Sequence, residues 1–453
     1  MKITCLTGIL VLNCLYLFAQ EPAFTPFKNN EQKQQQFISA IDSKYEKDIS
    51  GLQGKFKKEL KEVYSMRHDM IKGKFESREM LTDEKSLSYI NAILQKVLQS
   101  NSLPGGSDTR IAFSKTWWAN AYSTGEGTFV FNAGLFHKLK NEAQVAFIVC
   151  HELSHYYLDH GNSKIHKHIS TFHSEEFQKR IKEIQKSQYR QNQQATELLK
   201  GLTFTFRRHS REDEAAADSM AFVLLKNTGY DVNESLTCLG LLDSVDQDKY
   251  RGNLALDQRF NFNSYPFKPH WLQPPGIRFT VNKEKDHDRI EDSLKTHPDC
   301  TVRINKLNSI FKGDRKPGKK FLVSEESFMS LQKQFDYEII QYSFDVENVS
   351  LSLFFTLKML SAFPDDPYLN TMVGKCWNEI YKKQKNHELG KIVELPGPEL
   401  SEEYNRLCLM IQNLRLQEIA AISYHYLLDK SKLFSNNTEF NTELNTSKQN
   451  FLK

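Results

Sequence analysis

The segment Val145–His155, which reads Val-Ala-Phe-Ile-Val-Cys-His-Glu-Leu-Ser-His, limits what this chain can fold into more than any other segment. Its five leading apolar residues predict a buried helix that carries His151, Glu152 and His155. Residues four apart on a helix lie on one face about one turn apart, so both imidazoles can reach one metal ion. Burying His-Glu-His without a partner is costly, which argues against an ordinary exposed helix turn.

This histidine pair needs a third ligand, because a catalytic zinc takes three protein ligands and one water. A histidine six residues after His155 is excluded, since that position is Gly161. A later glutamate at Glu175 or Glu176 is not followed by an acid four residues on, because those positions are basic. Glu152 is placed beside the histidines to take a proton from the metal-bound water and is not counted as a ligand.

The segment Ser210–Asp218, Ser-Arg-Glu-Asp-Glu-Ala-Ala-Ala-Asp, offers the remaining candidate. Glu214 and Asp218 share a helix face at i, i+4, so Glu214 can bind the metal. Asp218 can then accept a hydrogen bond from the far nitrogen of a ligand histidine, which fixes its tautomer. The three alanines allow a close approach between helices, and Asp213 lies on a different face. The alternative is a solvated acidic start of a helix.

These blocks resemble the zinc metallopeptidase family that includes the heat-shock protease HtpX and the CAAX prenyl protease. That family pairs HExxH with a later S-R-x-x-E-x-x-A-D helix. Two more blocks are similar to the family: Asn120–Tyr122 followed by Gly127–Val130, and Thr296–Pro298 followed by Arg303-Ile304. The four blocks stand in the family's order and together cover residues 80 to 310 or so.

The resemblance implies a mainly α fold with a small β-hairpin or sheet and a gluzincin-like catalytic domain. It implies one zinc per chain, with His151, His155 and Glu214 as ligands, Asp218 behind a ligand and Glu152 as the base. We expect a polypeptide substrate to lie extended near Asn120 by β-strand addition. His297 is a candidate to stabilise the oxyanion, and packing of the His-Pro turn is its alternative role.

The N-terminus has the layout of a signal peptide. Lys2 precedes the mostly apolar run Ile3–Phe18, and Ala19 comes before polar residues. A run of about 16 residues is short for a transmembrane span, which needs roughly 20. We predict a signal peptide at 1–19, no transmembrane segment after its cleavage, and an exported protein in the periplasm or outside the cell, with or without membrane association. An uncleaved anchor is the alternative.

The connection from Gly161 to Arg208 is polar, unlike that of the family's membrane members. The chain therefore resembles the soluble exported members, which are linked to quality control of envelope proteins and often carry helical repeats. The net charge of +4 is close to balance and does not favour nucleic acid as a partner. The five cysteines beyond the signal segment are widely spaced and odd in number, so one disulfide at most is expected, with no readable pairing.

We predict a metallopeptidase domain at 20–310 with its core motifs at 110–304, a helical and possibly tetratricopeptide-like region at 320–433, and a disordered tail at 434–453. Within the first domain, short strands are predicted at 110–115 and 128–132, and a helix from Asn141 to about His160 with Gly161 at its C-terminal cap. The loop-rich stretch 251–298 is a candidate lid that would hold the resting enzyme inactive.

The function that these patterns favour is a zinc-dependent endopeptidase acting on exported or envelope proteins, in protein quality control. The competing hypothesis is a helical C-terminal binding or chaperone-like module attached to a latent protease domain. The same helices could also bind protein partners of an active enzyme. Four histidines after the motif, His160, His166, His168 and His173, are expected to be scattered surface residues. Trp117 and Trp118 either line a substrate groove or pack in the core.

Overall fold

The computed structural model describes residues 24–103, 108–186, 191–243, 253–274, 300–313, 317–398 and 400–453, without side chains from 185 to 209. The signal segment predicted at 1–19 and the Thr296–Pro298 motif lie outside the described residues. Within them, the fold is mainly helical with one small sheet, as predicted. No helix among the described residues is both long and apolar enough to span a bilayer.

Within the described residues, three helices precede the sheet. They are α1 (Glu31–Ser50), α2 (Lys57–Glu76) and α3 (Glu84–Asn101). The side chain of Asn30 caps α1 and that of Asp83 caps α3, each by accepting a backbone N–H three residues on. The apolar face of α3 lies in the main hydrophobic core, so this helix forms one wall of the catalytic region.

The sheet has three strands in the order β1-β3-β2: β1 (Arg110–Ser114), β2 (Ala121–Ser123) and β3 (Thr128–Asn132). β2 and β3 form the predicted hairpin, and β1 adds to the other side of β3 in parallel. Gly127 makes the turn with φ +105°, where a Cβ atom would lie 2.4 Å from the Asp108 carbonyl oxygen. Every residue of the central strand β3 is buried, and β1 and β2 are the two edge strands.

The next six helices of the described chain lie between the sheet and residue 243. They are α4 (Ala133–Phe136), α5 (Glu142–Tyr157), α6 (His160–Phe172), α7 (Glu175–Lys186), α8 (Gln191–Thr228) and α9 (Glu234–Leu242). Residues 142 to 154 of α5 are all buried, so this helix is the centre of the region. The predicted cap at Gly161 is wrong. α5 ends at Tyr157, Asp159 takes the left-handed conformation at φ +53°, and α6 has begun by Gly161.

Helices also make up the second half of the described chain. They are α10 (Leu256–Arg259), α11 (Cys300–Phe311), α12 (Glu325–Asp345), α13 (Val349–Leu360), α14 (Pro367–Lys385), α15 (Glu402–Asn413), α16 (Leu416–Lys430) and α17 (Thr438–Phe451), with 3₁₀ turns at Pro269–Leu272 and Leu389–Lys391. Within the region predicted to be helical at 320–433, α13 and α14 are joined by a short turn, with Pro367 in the first turn of α14 and Asp366 as its N-cap.

The tail predicted to be disordered is helix α17, so that prediction is wrong. Its polar composition hides a packed face: Phe434 and Phe440 are buried in the second core. The Ser447 hydroxyl donates to Asn378 Oδ1 on α14 at 2.8 Å. Such a helix depends on tertiary contacts, which a polar composition does not reveal.

The two largest hydrophobic cores of the described chain lie around α5 and the sheet and among α13 to α17, and two smaller clusters involve α1 and α2. Helix α12 packs on both, since Phe335 belongs to the first core and Ile340 to the second. Buried Glu142 at the start of α5 accepts the backbone N–H groups of residues 322 to 324, which fixes the connection into α12. The described part of the predicted lid, residues 253–274, contributes Phe260 and Trp271 to the second core.

All five cysteines of the described chain are free and buried: Cys150, Cys238, Cys300, Cys376 and Cys408. Burial raises the pKa of the Cys150 thiol beside the histidine motif. A buried neutral thiol behaves as a small packing group rather than as a nucleophile.

Candidate metal centre

Helix α5 brings the two motif histidines together as their spacing predicts. The Nε2 atoms of His151 and His155 lie 3.0 Å apart. Both histidines lie on one face of α5, and the His151 side chain is almost completely buried. Two imidazole nitrogens that face each other at this distance need a proton or a cation between them.

Glu214 reaches the same point from α8. Its Oε2 atom is 3.4 Å from His151 Nε2, and its Oε1 atom is 3.3 Å from His155 Nε2. Ligands of a tetrahedral zinc at 2.0–2.1 Å are separated by about 3.4 Å. The three donors therefore fit a zinc ion in both chemistry and spacing. Among the described residues, this is the one group of three or more possible ligands that converges.

Asp218 lies one turn after Glu214 and supports His151 from behind. Its Oδ1 atom is 3.0 Å from His151 Nδ1, the nitrogen opposite the donor cluster. Burial by itself would raise the pKa of Asp218, but the hydrogen bonds from Arg303 and His151 outweigh it and lower the pKa to about 2. Asp218 is thus an anion placed to hold the proton of His151 on Nδ1.

Arg303 on α11 completes this side of the site. Its Nε and Nη2 atoms each donate to an Asp218 carboxylate oxygen at 2.7 Å, and its Nη1 atom lies 3.3 Å from Glu214 Oε2. The guanidinium is buried, and one cation faces both carboxylates. A bidentate pair of this kind fixes the carboxylate plane as well as its charge.

The two carboxylates also affect the protonation of His151. Burial would lower the pKa of His151, but hydrogen bonds with Asp218 and Glu214 outweigh it and raise the pKa to about 10. A metal ion that binds His151 Nε2 must displace the proton from that nitrogen, so metal binding is coupled to proton release.

Glu152 is directed away from the donor cluster and toward the sheet. Its Oε2 atom accepts the backbone N–H of Ser123 at 2.8 Å, and the residue is buried. It is absent from the convergent donor group among the described residues. The carboxylate therefore lies between the histidine pair and the edge strand β2, where a general base would act on a bound peptide.

Comparison with known proteins agrees with this geometry. The model of peptidase family M48 matches residues 84–311, half of the chain. The chain belongs to peptidase family M48. It is accordingly a metallopeptidase, and the family resemblance of the four sequence blocks is confirmed. None of the curated proteins searched matches the chain.

In this M48 peptidase the matched span runs from the start of α3 to the end of α11. It therefore contains every residue of the donor cluster, Asp218, Arg303 and the whole sheet. Helices α12 to α17 lie outside the match. The match covers most of the first core and, in the second core, the residues from Leu254 to Trp271.

The hydrogen bonds between β2 and β3 show which backbone groups of β2 face away from β3, toward the open edge of the sheet. Asn132 N donates to Asn120 O, and Thr124 N donates to Thr128 O, both at 3.0 Å. Residues 120, 122 and 124 thus direct their backbone groups toward β3, and those of Ala121 and Ser123 face outward. Asn120, predicted to bind substrate, lies at the start of this edge with its own carbonyl already used.

Two residues near the ligands were not recognised from the sequence. Arg303 was noted only as part of a motif, because it is 85 positions from Asp218. His160 was expected on the surface, which is wrong: it is buried, with its Nδ1 atom 2.8 Å from His155 Nδ1. His166, His168 and His173 are exposed as expected. His297 lies outside the described residues and stays a prediction.

Proposed function

We propose that this metallopeptidase is a zinc-dependent endopeptidase that cleaves extended segments of exported polypeptides, as part of protein quality control. The observation that carries the proposal is the convergence of His151, His155 and Glu214 at zinc spacing, with Glu152 between them and the open edge of β2. One zinc per chain would be held by the two imidazoles and the carboxylate. Zinc in such a site polarises the scissile carbonyl and lowers the pKa of water to about 7.

The residues around the ligands perform the proton transfers and the positioning. Glu152 takes a proton from the attacking water and delivers it to the leaving amine. Asp218 keeps the proton of His151 on Nδ1, so that Nε2 faces the metal site. Arg303 holds Asp218 and Glu214 in place, because it contacts both carboxylates. A buried acidic pair without this cation would take up a proton instead.

The substrate is an extended polypeptide segment that pairs with β2. The outward backbone groups of Ala121 and the outward carbonyl of Ser123 offer hydrogen bonds to one more strand, while the Ser123 N–H donates to Glu152. Main-chain pairing of this kind tolerates many sequences. Trp117 precedes this edge, and its indole is 41% exposed beside Phe355 of α13. That surface suits apolar side chains of an unfolded chain, the class of substrate that quality control removes.

Export rests on the signal-like sequence at 1–19 and not on the described fold. Cleavage after Ala19 would leave Phe24 and Phe27 in the mature chain, where they pack against Tyr337 and Phe335. The mature protein would therefore keep every residue that the described fold uses. Terminal sequencing of the protein from its native cell should find an N-terminus near Gln20, and an intact Met1 in the cytosol would contradict export.

The central test compares metal content with proteolysis of an unfolded protein such as casein. Purified chain should contain one zinc, and a His151→Ala/His155→Ala variant should contain almost none and cleave nothing. His166→Ala/His168→Ala, which changes two exposed histidines of α6, is the matched control and should behave like the parent. Unchanged zinc content in the first variant would contradict the ligand assignment.

A further inference from the structure

A break in the helix after the HExxH motif brings a third histidine back to the site. In a continuous helix, the residue five positions after His155 would be rotated from it by about 140°. Instead α5 ends at Tyr157, and Asp159 adopts the left-handed conformation at φ +53°. The chain turns there, and His160 becomes the first residue of α6, buried against the motif.

The contact joins the back of His155 to His160. The two Nδ1 atoms are 2.8 Å apart, and the rings meet at 70°. Since His155 Nε2 faces the donor cluster, its proton must reside on Nδ1, which then donates to His160 Nδ1. The proton of neutral His160 then resides on Nε2, 3.8 Å from Asp213 Oδ1.

Asp213 on α8 makes the last contact in the series that begins with His155 and His160. Its other oxygen, Oδ2, lies 3.6 Å from the Lys164 ammonium on α6. These contacts connect His155 on α5, through His160 on α6, to Asp213 on α8. Asp213 is the residue directly before Glu214. The arrangement is similar to the pairing of His151 with Asp218. The difference is that the neutral imidazole of His160 lies between the ligand histidine, His155, and the carboxylate of Asp213.

We propose that His160 is a positioning residue that fixes the tautomer and ring orientation of His155, with Asp213 orienting His160 in turn. This inference rests on the proposed zinc site. A histidine that merely filled space would not need an acceptor at Nδ1, whereas a support for His155 needs that acceptor. An experiment can therefore separate the effect of the shape of the His160 side chain from the effect of its hydrogen-bond acceptor.

Two substitutions at His160 make that separation. The Oδ1 atom of asparagine lies as many bonds from the backbone as histidine Nδ1, so His160→Asn keeps an acceptor for His155. His160→Leu has similar bulk and no acceptor. We expect His160→Leu to bind zinc about 10–100-fold more weakly in competition with a chelator, the usual loss for a group behind a ligand. His160→Asn should retain most of the affinity, and His166→Asn on the exposed face of α6 should retain all of it.

An unfolding transition is first measured on each metal-free variant to show that it is folded. The zinc affinities of the variants are then compared. Equal affinity of His160→Leu and the parent, or equal losses in His160→Leu and His160→Asn, would overturn the role of His160. A parent that binds no zinc would instead overturn the proposed function, so the two failures are distinct.

The unmodified protein provides a second measurement that does not depend on a variant folding. In the zinc-loaded protein, nitrogen-15 NMR of histidine side chains should show His155 protonated on Nδ1 with a hydrogen-bonded proton, and His160 protonated on Nε2. The opposite tautomer at His160 would refute the inference, because a protonated Nδ1 cannot accept from His155.

Discussion

The two largest hydrophobic cores of the described chain are both mainly helical, but they bury different polar groups. The first core surrounds charged or chargeable side chains that contact one another, His151, Glu214, Asp218 and Arg303, with buried Glu152 beside them. The second core buries neutral groups that pair with each other, and its charged side chains form separate ion pairs, such as Lys358 with Glu403 and Lys268 with Glu418. Asn370 accepts from the Tyr426 hydroxyl at 2.7 Å, and Ser350 and Tyr404 share a hydrogen bond of 2.8 Å.

The difference indicates where the chemistry lies. Charges taken out of water carry a desolvation cost that pairing only partly offsets, so a cluster of them is weak evidence for stability. Perturbed groups of this kind concentrate at functional sites. Neutral pairs such as those of Asn370 and Ser350 satisfy buried groups and specify how helices pack. The first core is therefore organised for catalysis, and the second for stability and for presenting the surface of α12 to α17.

The largest effect should come from Glu152→Gln in the first core. The amide keeps the shape of the carboxylate but cannot accept the proton of the attacking water. We expect turnover to fall by about 10²–10⁴-fold, with zinc content unchanged, when casein cleavage and metal content are measured on the same sample. Glu175→Gln, at an exposed position of α7, is the control. Normal activity in Glu152→Gln would place the chemistry elsewhere.

The second core should respond in stability and not in chemistry. Trp377 on α14 is fully buried, and Trp377→Ala should destabilise the protein by about 3–5 kcal/mol. Activity per folded molecule should stay near that of the parent, since Trp377 is outside the donor cluster. Thermal unfolding and active-site titration together measure both quantities. Trp377→Phe, which keeps an aromatic ring, should cost less. A loss of turnover without a loss of stability would break the distinction between the cores.

The same experiment bears on the competing hypothesis of a binding module with a latent protease. If the second core supports client binding, Trp377→Ala should weaken client capture, whereas Glu152→Gln should leave it intact. Capture of unfolded casein by Glu152→Gln, which cannot turn it over, is the direct measurement. Cleavage by the parent at the same time would show an active enzyme.

Local spacing was enough to predict one half of the site. His151 with His155, and Glu214 with Asp218, are each one helical turn apart, so their shared faces follow from helix geometry alone. Individual strands and helices also follow from patterns within short windows, whereas the mainly α fold with a small hairpin was implied by the family resemblance.

The other half of the site depends on tertiary structure. Arg303 reaches Asp218 from a different helix, and no periodicity connects the two. His160 was misjudged because the helix was extended to Gly161, and the break at Asp159 changes the direction of the next side chain. The tail was misjudged because its polar residues were counted, while the packed positions of Phe434 and Phe440 were not.

Asp218→Asn should have an intermediate effect. The amide is a weaker acceptor and can present its NH₂ group to His151, so zinc affinity should fall by about 10–100-fold. Asp213 is not a neutral control, because it faces His160 and Lys164. The matched control is Asp365→Asn, at an exposed position in the turn between α13 and α14. Equal zinc retention in both variants would remove the case for Asp218.

The low pKa of Asp218 also predicts how stability depends on pH. The pKa falls from an ordinary value of 3.8 to about 2, so the contribution of Asp218 is fully present above about pH 4. It is lost as the pH falls toward 2, and its size is about 2 kcal/mol. The metal-free parent should therefore lose its stability advantage over metal-free Asp218→Asn across that window, as measured by denaturant unfolding. A constant difference down to pH 2 would contradict the assignment.

The smallest effect should come from the cap of α17. The Asn437 side chain accepts the backbone N–H of Phe440, which satisfies one of the unpaired donors at the start of the helix. Asn437→Ala should lower stability by about 1 kcal/mol and leave zinc affinity and turnover unchanged. Asn437→Asp, which keeps an acceptor and places a negative charge at the helix N-terminus, should restore the loss. Since α17 packs on α14 and α16, a change in zinc affinity from this position would show that the second core acts on the metal site through α12. No change would mean that the two cores share a helix but not a function.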